Sequence, residues 1–62
     1  MGDLRTIRTY KLLKDSLLEL LSKDSFDNIK VNDICNLAMV HRTTFYSHFA
    51  DKYELLDYAI KD

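Results

Sequence analysis

The sequence has no proline, and its single glycine, Gly2, sits at the very start. The residues that most readily break helices and make tight turns are thus missing from the body of the chain. That argues against a hairpin-rich sheet and for helices joined by short links. Cys35 has no second cysteine to pair with, so an internal disulfide is excluded and the cytoplasm is the expected location. Long apolar runs are lacking too, because Glu19 interrupts Leu17-Leu18 and Leu20-Leu21; a membrane span and a secretory signal core are both excluded there. Nor is there a glycine-rich loop to cradle a phosphate. An excess of positive charge is also absent, since the net charge is −1 and, averaged over the surface, that counts against nucleic-acid binding.

What is present suits a folded domain: 47% of the 62 residues are hydrophobic and 31% are charged, too apolar for a disordered tail. No repeat, low-complexity tract or linker divides the chain, so residues 1–62 are read as one domain, small enough to bury only about 60% of its unfolded surface. The charge is unevenly placed. Arg5, Arg8, Lys11 and Lys14 face Asp3 alone in the first fourteen residues, and the remainder is net acidic. Such a basic end suits a phosphate backbone, and it equally suits a solvated helix face. The opening Met1-Gly2-Asp3-Leu4-Arg5-Thr6 also fits a loose myristoylation pattern, which carries little weight alone.

Apolar residues at Ile7, Tyr10, Leu13, Leu17, Leu20 and Leu21 recur at steps of three and four, predicting an amphipathic helix from about Ile7 to Lys23. The polar run from Lys23 to Asn28, with Phe26 as an apolar plug, reads as the link out of it. Val31, Ile34, Cys35 and Ala38 predict a second helix over Val31 to Leu37. Lys30 stands where a capping Ser or Thr is usual, and Asp33 favours the helix dipole. A third helix is expected over Arg42 to Phe49, with Phe45 and Phe49 facing inward. A fourth runs from Lys52 to about Lys61, opened by a capping-box-like Asp51 and Glu54, with Tyr53, Leu56 and Ile60 on one stripe and Leu55, Tyr58 and Ala59 widening it beyond what one packing partner needs.

Two short helices joined by a tight turn make the helix-turn-helix pattern, in which the second helix enters the major groove of DNA. A reading helix needs apolar residues on one side and donors on the other. Phe45 and Phe49 meet the first demand; Arg42, Thr43, Tyr46 and Ser47 meet the second.

The run from Val31 to Phe49, followed by Asp51-Lys52-Tyr53-Glu54-Leu55-Leu56, resembles the TetR-family DNA-binding domain. The resemblance covers nearly the whole chain. Its most specific part is Thr44-Phe45-Tyr46-Ser47-His48-Phe49 with Lys52 three residues on. It implies an all-α fold: a small, homeodomain-like bundle of three helices with the start of a fourth. It also implies sequence-specific binding of operator DNA by a transcriptional regulator, in the sense of a repressor. Thr44, Tyr46 and Lys52 match family positions that bind phosphates. Arg42, Thr43, Ser47 and His48 match positions that face base edges or the adjoining backbone, with Arg42 the best candidate for a guanine. Asn32 matches a position that reaches a base or phosphate. Further implications are a homodimer and a small-molecule effector, both seated on a C-terminal domain beyond residue 62. Two departures stand out: Met39 replaces the usual turn Gly, and His41 replaces the usual Ser cap of the reading helix.

Against these readings stand plainer ones. Phe45, Phe49 and Leu56 are core residues in any helical bundle, and Cys35 on an inner face is a small buried hydrophobe. His41 and His48 lack partners at metal-ligand spacing, so neither a metal nor any other cofactor is expected. An enzyme built on Cys35, His48, Asp51 and Glu54 is not expected either, because so short a chain cannot enclose the pocket that perturbs their chemistry. The alternative from another class is a helical interaction module, docking a protein through the apolar side of the fourth helix and leaving DNA alone.

Overall fold

The computed structural model describes residues 4–61, with side chains from residue 7 onward. The Gly2 motif and the Arg5 side chain lie outside the described residues. Four α-helices make up the fold: α1 (Leu4–Leu21), α2 (Val31–Ala38), α3 (Arg42–His48) and α4 (Lys52–Lys61), with a 3-10 turn at Phe26–Asn28 between α1 and α2. Among the described residues there is no strand, in line with the all-α expectation.

Leu13 and Leu17 put the inner stripe of α1 fully into the core, and Tyr10, Leu20 and Leu21 pack against its margin. Ile7 departs from the expected stripe. It is 57% exposed and lines a shallow surface with its α1 neighbours Arg8, Lys11 and Leu12. The helix closes at Leu21, two residues before the predicted end. The Ser22 hydroxyl donates back to the Glu19 carbonyl at 2.6 Å. Asp24 then organises the link: its Oδ1 accepts from the Ser25 N–H at 2.8 Å and from the Asn28 amide at 3.0 Å. Those two donors, Asn28 first, hold its carboxyl below the ordinary carboxylate value.

At α2 the missing cap is made good from inside the helix. Asp33 Oδ2 accepts the Lys30 N–H at 3.0 Å, the returning half of a capping box. Ile34, Cys35 and Ala38 are buried as their spacing predicts. The helix ends on Met39 in the left-handed region, φ 59° and ψ 43°. Its N–H bonds back to Asn36 and the Val40 N–H to Cys35 at 3.0 Å, which is the Schellman closure that glycine normally makes. Met39 therefore carries a backbone strain of about 1 kcal/mol that glycine would not.

The apolar girth of α4 is divided between core and solvent. Leu55 and Ala59 are buried and Leu56 and Tyr58 partly so, whereas Tyr53 and Ile60 are 60% and 71% exposed. The predicted Tyr53–Leu56–Ile60 stripe is thus turned outward at both ends. Apolar residues nearly encircle this helix, so periodicity had no clear minimum to select. Packing against α1 selects the face carrying small Ala59, where backbones approach closely. The start of α4 follows expectation more nearly: Asp51 Oδ1 accepts the Glu54 N–H at 3.0 Å. Glu54 answers by accepting from Ala50 at 3.1 Å, one residue further back than in a standard box.

The core is made by Leu13, Leu17, Ile29, Ile34, Phe45 and Leu55, all essentially solvent-free. α1 is the central rod, packing on α2 and α4, while α3 leans chiefly on α2. The seating of α2 is therefore one determinant of the orientation of α3.

Candidate nucleic-acid interface

α3 is only seven residues long, one fewer than predicted, and a helix of that length has no stability of its own. Its position comes from Phe45, fully buried one turn inside, and from Phe49, buried just past the helix end. With that face fixed, the residues beside it lie at the margin between core and solvent. Arg42 and Tyr46, four apart and flanking the Phe face, are exposed, Tyr46 at 48%. They line an open groove together with Lys30, Val31 and Asn32 from the start of α2 and Asp51 and Lys52 from the start of α4. Four residues picked out in the sequence, Asn32, Arg42, Tyr46 and Lys52, are thereby brought together on one surface.

The remaining candidates are placed less uniformly. Thr43 is exposed beside Arg42, and Thr44 is half-buried. Ser47 is exposed, but its hydroxyl donates to the Thr44 carbonyl at 2.7 Å within the helix, leaving its oxygen lone pairs as its outward-facing function. His48 does not join the groove. It is half-buried, with its ring edge-on to Tyr10 of α1 at 5.0 Å between centroids. Tyr10 also meets Phe49 and Tyr58, each at 5.3 Å, so His48 belongs to an aromatic cluster that ties the end of α3 to α1 and α4.

Lys52 lies in the groove wall with its charge turned inward. Its Nζ donates to the carbonyls of Phe26 and Ile29, both at 2.7 Å, and sits 4.4 Å from the centre of the Phe26 ring. Hydrogen bonds from an ionised donor contribute roughly 1.5–3 kcal/mol each. An ammonium has three N–H donors, and two are engaged here.

The groove has the chemistry of a polar recognition surface. Arg42 offers a planar fork of donors, Lys30 a point charge, Asn32 a donor and an acceptor, and Tyr46 a hydroxyl on a rigid ring. Asp51 is the one acid in the wall, and it is occupied in capping α4. Beneath Arg42, burial pushes the Cys35 thiol up, with the guanidinium charge opposing the rise, so the sulfur stays neutral at ordinary pH. Among the described residues no three His, Cys, Asp or Glu side chains gather as a metal site, and no helix is long and apolar enough to cross a membrane.

Lys30 is the groove residue that sequence reasoning passed over, having weighed it only as a poor cap. Its signal was available, as a cation placed immediately before a helix whose second residue was already a candidate. The partners of Lys52 and His48 had no such signal, because they come from distant parts of the chain.

Residues 14–59 match the family model described as bacterial regulatory proteins of the tetR family. An uncharacterized HTH-type transcriptional regulator, YxbF of Bacillus subtilis (strain 168), is 37% identical over 60 residues, covering 95% of this chain and 16% of its own length. The HTH-type dhaKLM operon transcriptional activator DhaS of Lactococcus lactis subsp. lactis (strain IL1403) is 29% identical over 58 residues, covering 94% of this chain and 31% of its own length. The chain thus spans well under half the length of either relative. No solved structure matches it.

Proposed function

This chain belongs to the TetR family of bacterial regulatory proteins, and we propose that it reads operator DNA by laying α3 in the major groove. The observation that supports this most is the division of α3 into two faces. Phe45 is fully buried, while Arg42 and Tyr46 project into a groove shared with Asn32 and Lys30. In this reading Arg42 and Thr43 meet base edges, Arg42 by pairing two donors with a guanine. Thr44, Tyr46 and Lys30 meet phosphates, Asn32 a base or phosphate, and Ser47 accepts through its free lone pairs. His48 contributes by holding the end of the helix.

The intact regulator, in the same reading, is a homodimer whose further domain binds a small effector, works in the cytoplasm and has no catalytic activity. Two linked reading heads give each other a high effective concentration on a two-part site, so the 62-residue unit alone should bind weakly. Repression is the proposed direction of control, since a protein seated on an operator blocks access to it. A reporter carrying the selected site checks this, and activation, the role named for the Lactococcus relative, would overturn that part.

Fluorescence anisotropy of the full-length regulator, on a duplex selected from a random library, tests the main claim. Affinity should fall steeply with salt, with a log–log slope of about −0.9 for each phosphate neutralised. Absence of binding to any duplex at low salt sinks the reading and favours a protein-docking module. The exposed Tyr53 and Ile60 of α4 would be the natural contact for such a partner.

A further inference from the structure

Lys52 presents a conflict between position and orientation. It lines the groove proposed to meet DNA, yet its ammonium is directed into the protein, onto the carbonyls of Phe26 and Ile29 at 2.7 Å each. A residue serving only a phosphate would keep its charge in solvent, where the phosphate arrives. Here the charge lies over the Phe26 ring at 4.4 Å and within 5.7 Å of the Tyr53 ring, and those two rings meet edge-on at 5.2 Å. The contact joins residues 26 and 23 positions apart in the chain.

From this geometry we infer that Lys52 is a positioning residue, which pins the Phe26–Ile29 turn to the start of α4 and thereby sets the seat of α2 and the angle of α3. The chain of contacts is short. Ile29, buried in the core, is two residues before α2, and α3 leans chiefly on α2. The Phe26 carbonyl also accepts the Ile29 N–H at 3.1 Å, so the ammonium holds the same oxygen on which the turn closes. Release of the ammonium frees the entry to α2, and Asn32 and Arg42 shift together relative to the groove. The inference rests on the DNA-reading function proposed above, and it differs from a phosphate-ligand role in what it predicts.

The test uses the full-length regulator with Lys52→Met, which keeps the aliphatic stem and loses the charge, and Phe26→Leu, which keeps the charge and removes its cradle. Without DNA, amide hydrogen exchange at Ile29 to Ile34 should quicken about tenfold in Lys52→Met and less in Phe26→Leu. Salt-titrated anisotropy then compares a library-selected duplex with a scrambled one of the same composition. Lys52→Met should lower discrimination between them about tenfold, the selected duplex losing far more affinity than the scrambled one. Phe26→Leu should lower discrimination in the same direction, and the double variant should be no worse than Lys52→Met alone.

Equal weakening on both duplexes by Lys52→Met, with the slope reduced by about 0.9 per protomer, would make Lys52 a phosphate ligand and overturn the inference. So would unchanged exchange at Ile29 to Ile34, or a Phe26→Leu variant that discriminates like the wild type. A wild-type regulator that binds no duplex would overturn the DNA reading itself, and the exchange comparison would then decide the clamp separately.

Discussion

At its C-terminal end α3 is held by rings: Phe45 and Phe49 lie in the core, and His48 stands edge-on to Tyr10. At its N-terminal end Arg42 and Thr43 are exposed, and the preceding His41 makes no side-chain cap. Seven residues thus carry an anchored end and a presented end. Each aromatic pair in the anchor adds about 0.5–1.5 kcal/mol beyond simple burial. In so small a domain the rigidity of an exposed helix face is supplied from behind it. The helix itself is too short to supply it.

The harshest way to break that division is to empty the anchor. Phe45→Ala should cost about 3–5 kcal/mol of stability, a large share of what a domain of this size holds. A urea melt of the full-length regulator measures it, and a cost below about 1 kcal/mol would mean the anchor does not carry the helix. Arg42→Ala, at the presented end, should do the reverse. It should remove about 1–3 kcal/mol of discrimination between selected and scrambled duplexes, with the melt displaced by under about 0.5 kcal/mol. Anisotropy and melting together separate the two ends.

A smaller effect sharpens the role of the turn that leads into α3. Met39→Gly should raise stability by about 1 kcal/mol, because glycine takes the left-handed conformation without strain. No gain in the melting midpoint would show that Met39, 91% exposed, is compensated in some other way.

The smallest effects are in pH. The Cys35 value is raised in the folded state, so stability should be level below the unfolded thiol value of about 9.0 and fall as pH rises beyond it, where the unfolded chain ionises first. Cys35→Ala should remove that alkaline slope. Asp24 has the opposite sign: its folded value is depressed, so its contribution is present above about 3.8 and is lost as pH falls through the lower folded value. Asn28→Ala should flatten the acid limb, and an unchanged limb would count against the Asn28–Asp24 bond.

Much of the molecule was legible from local pattern. The bounds of α2 and α4 lay within one residue of expectation because Asp33 and Asp51 mark their first turns, and Phe45 with Phe49 announced the inner side of α3. The inner face of α4 was not legible, since apolar residues on nearly every side leave the choice to packing. Ile29 was missed as a core residue because it stands outside any helical stripe. Lys52 and His48 were legible as members of a pattern, but their direction was not. That direction is decided by two carbonyls and a tyrosine ring that only the fold brings near.

In the proposed complex the exposed start of α3 faces DNA, and the far end of α4 does not. A photo-crosslinking side chain placed at Thr43, or in a separate variant at Lys61, about 13 Å along α4 from Lys52, tests it in the full-length regulator bound to its selected duplex. The account predicts strong crosslinks to DNA bases from position 43 and none above background from position 61. Equal yields, or crosslinks from 61 alone, would contradict it.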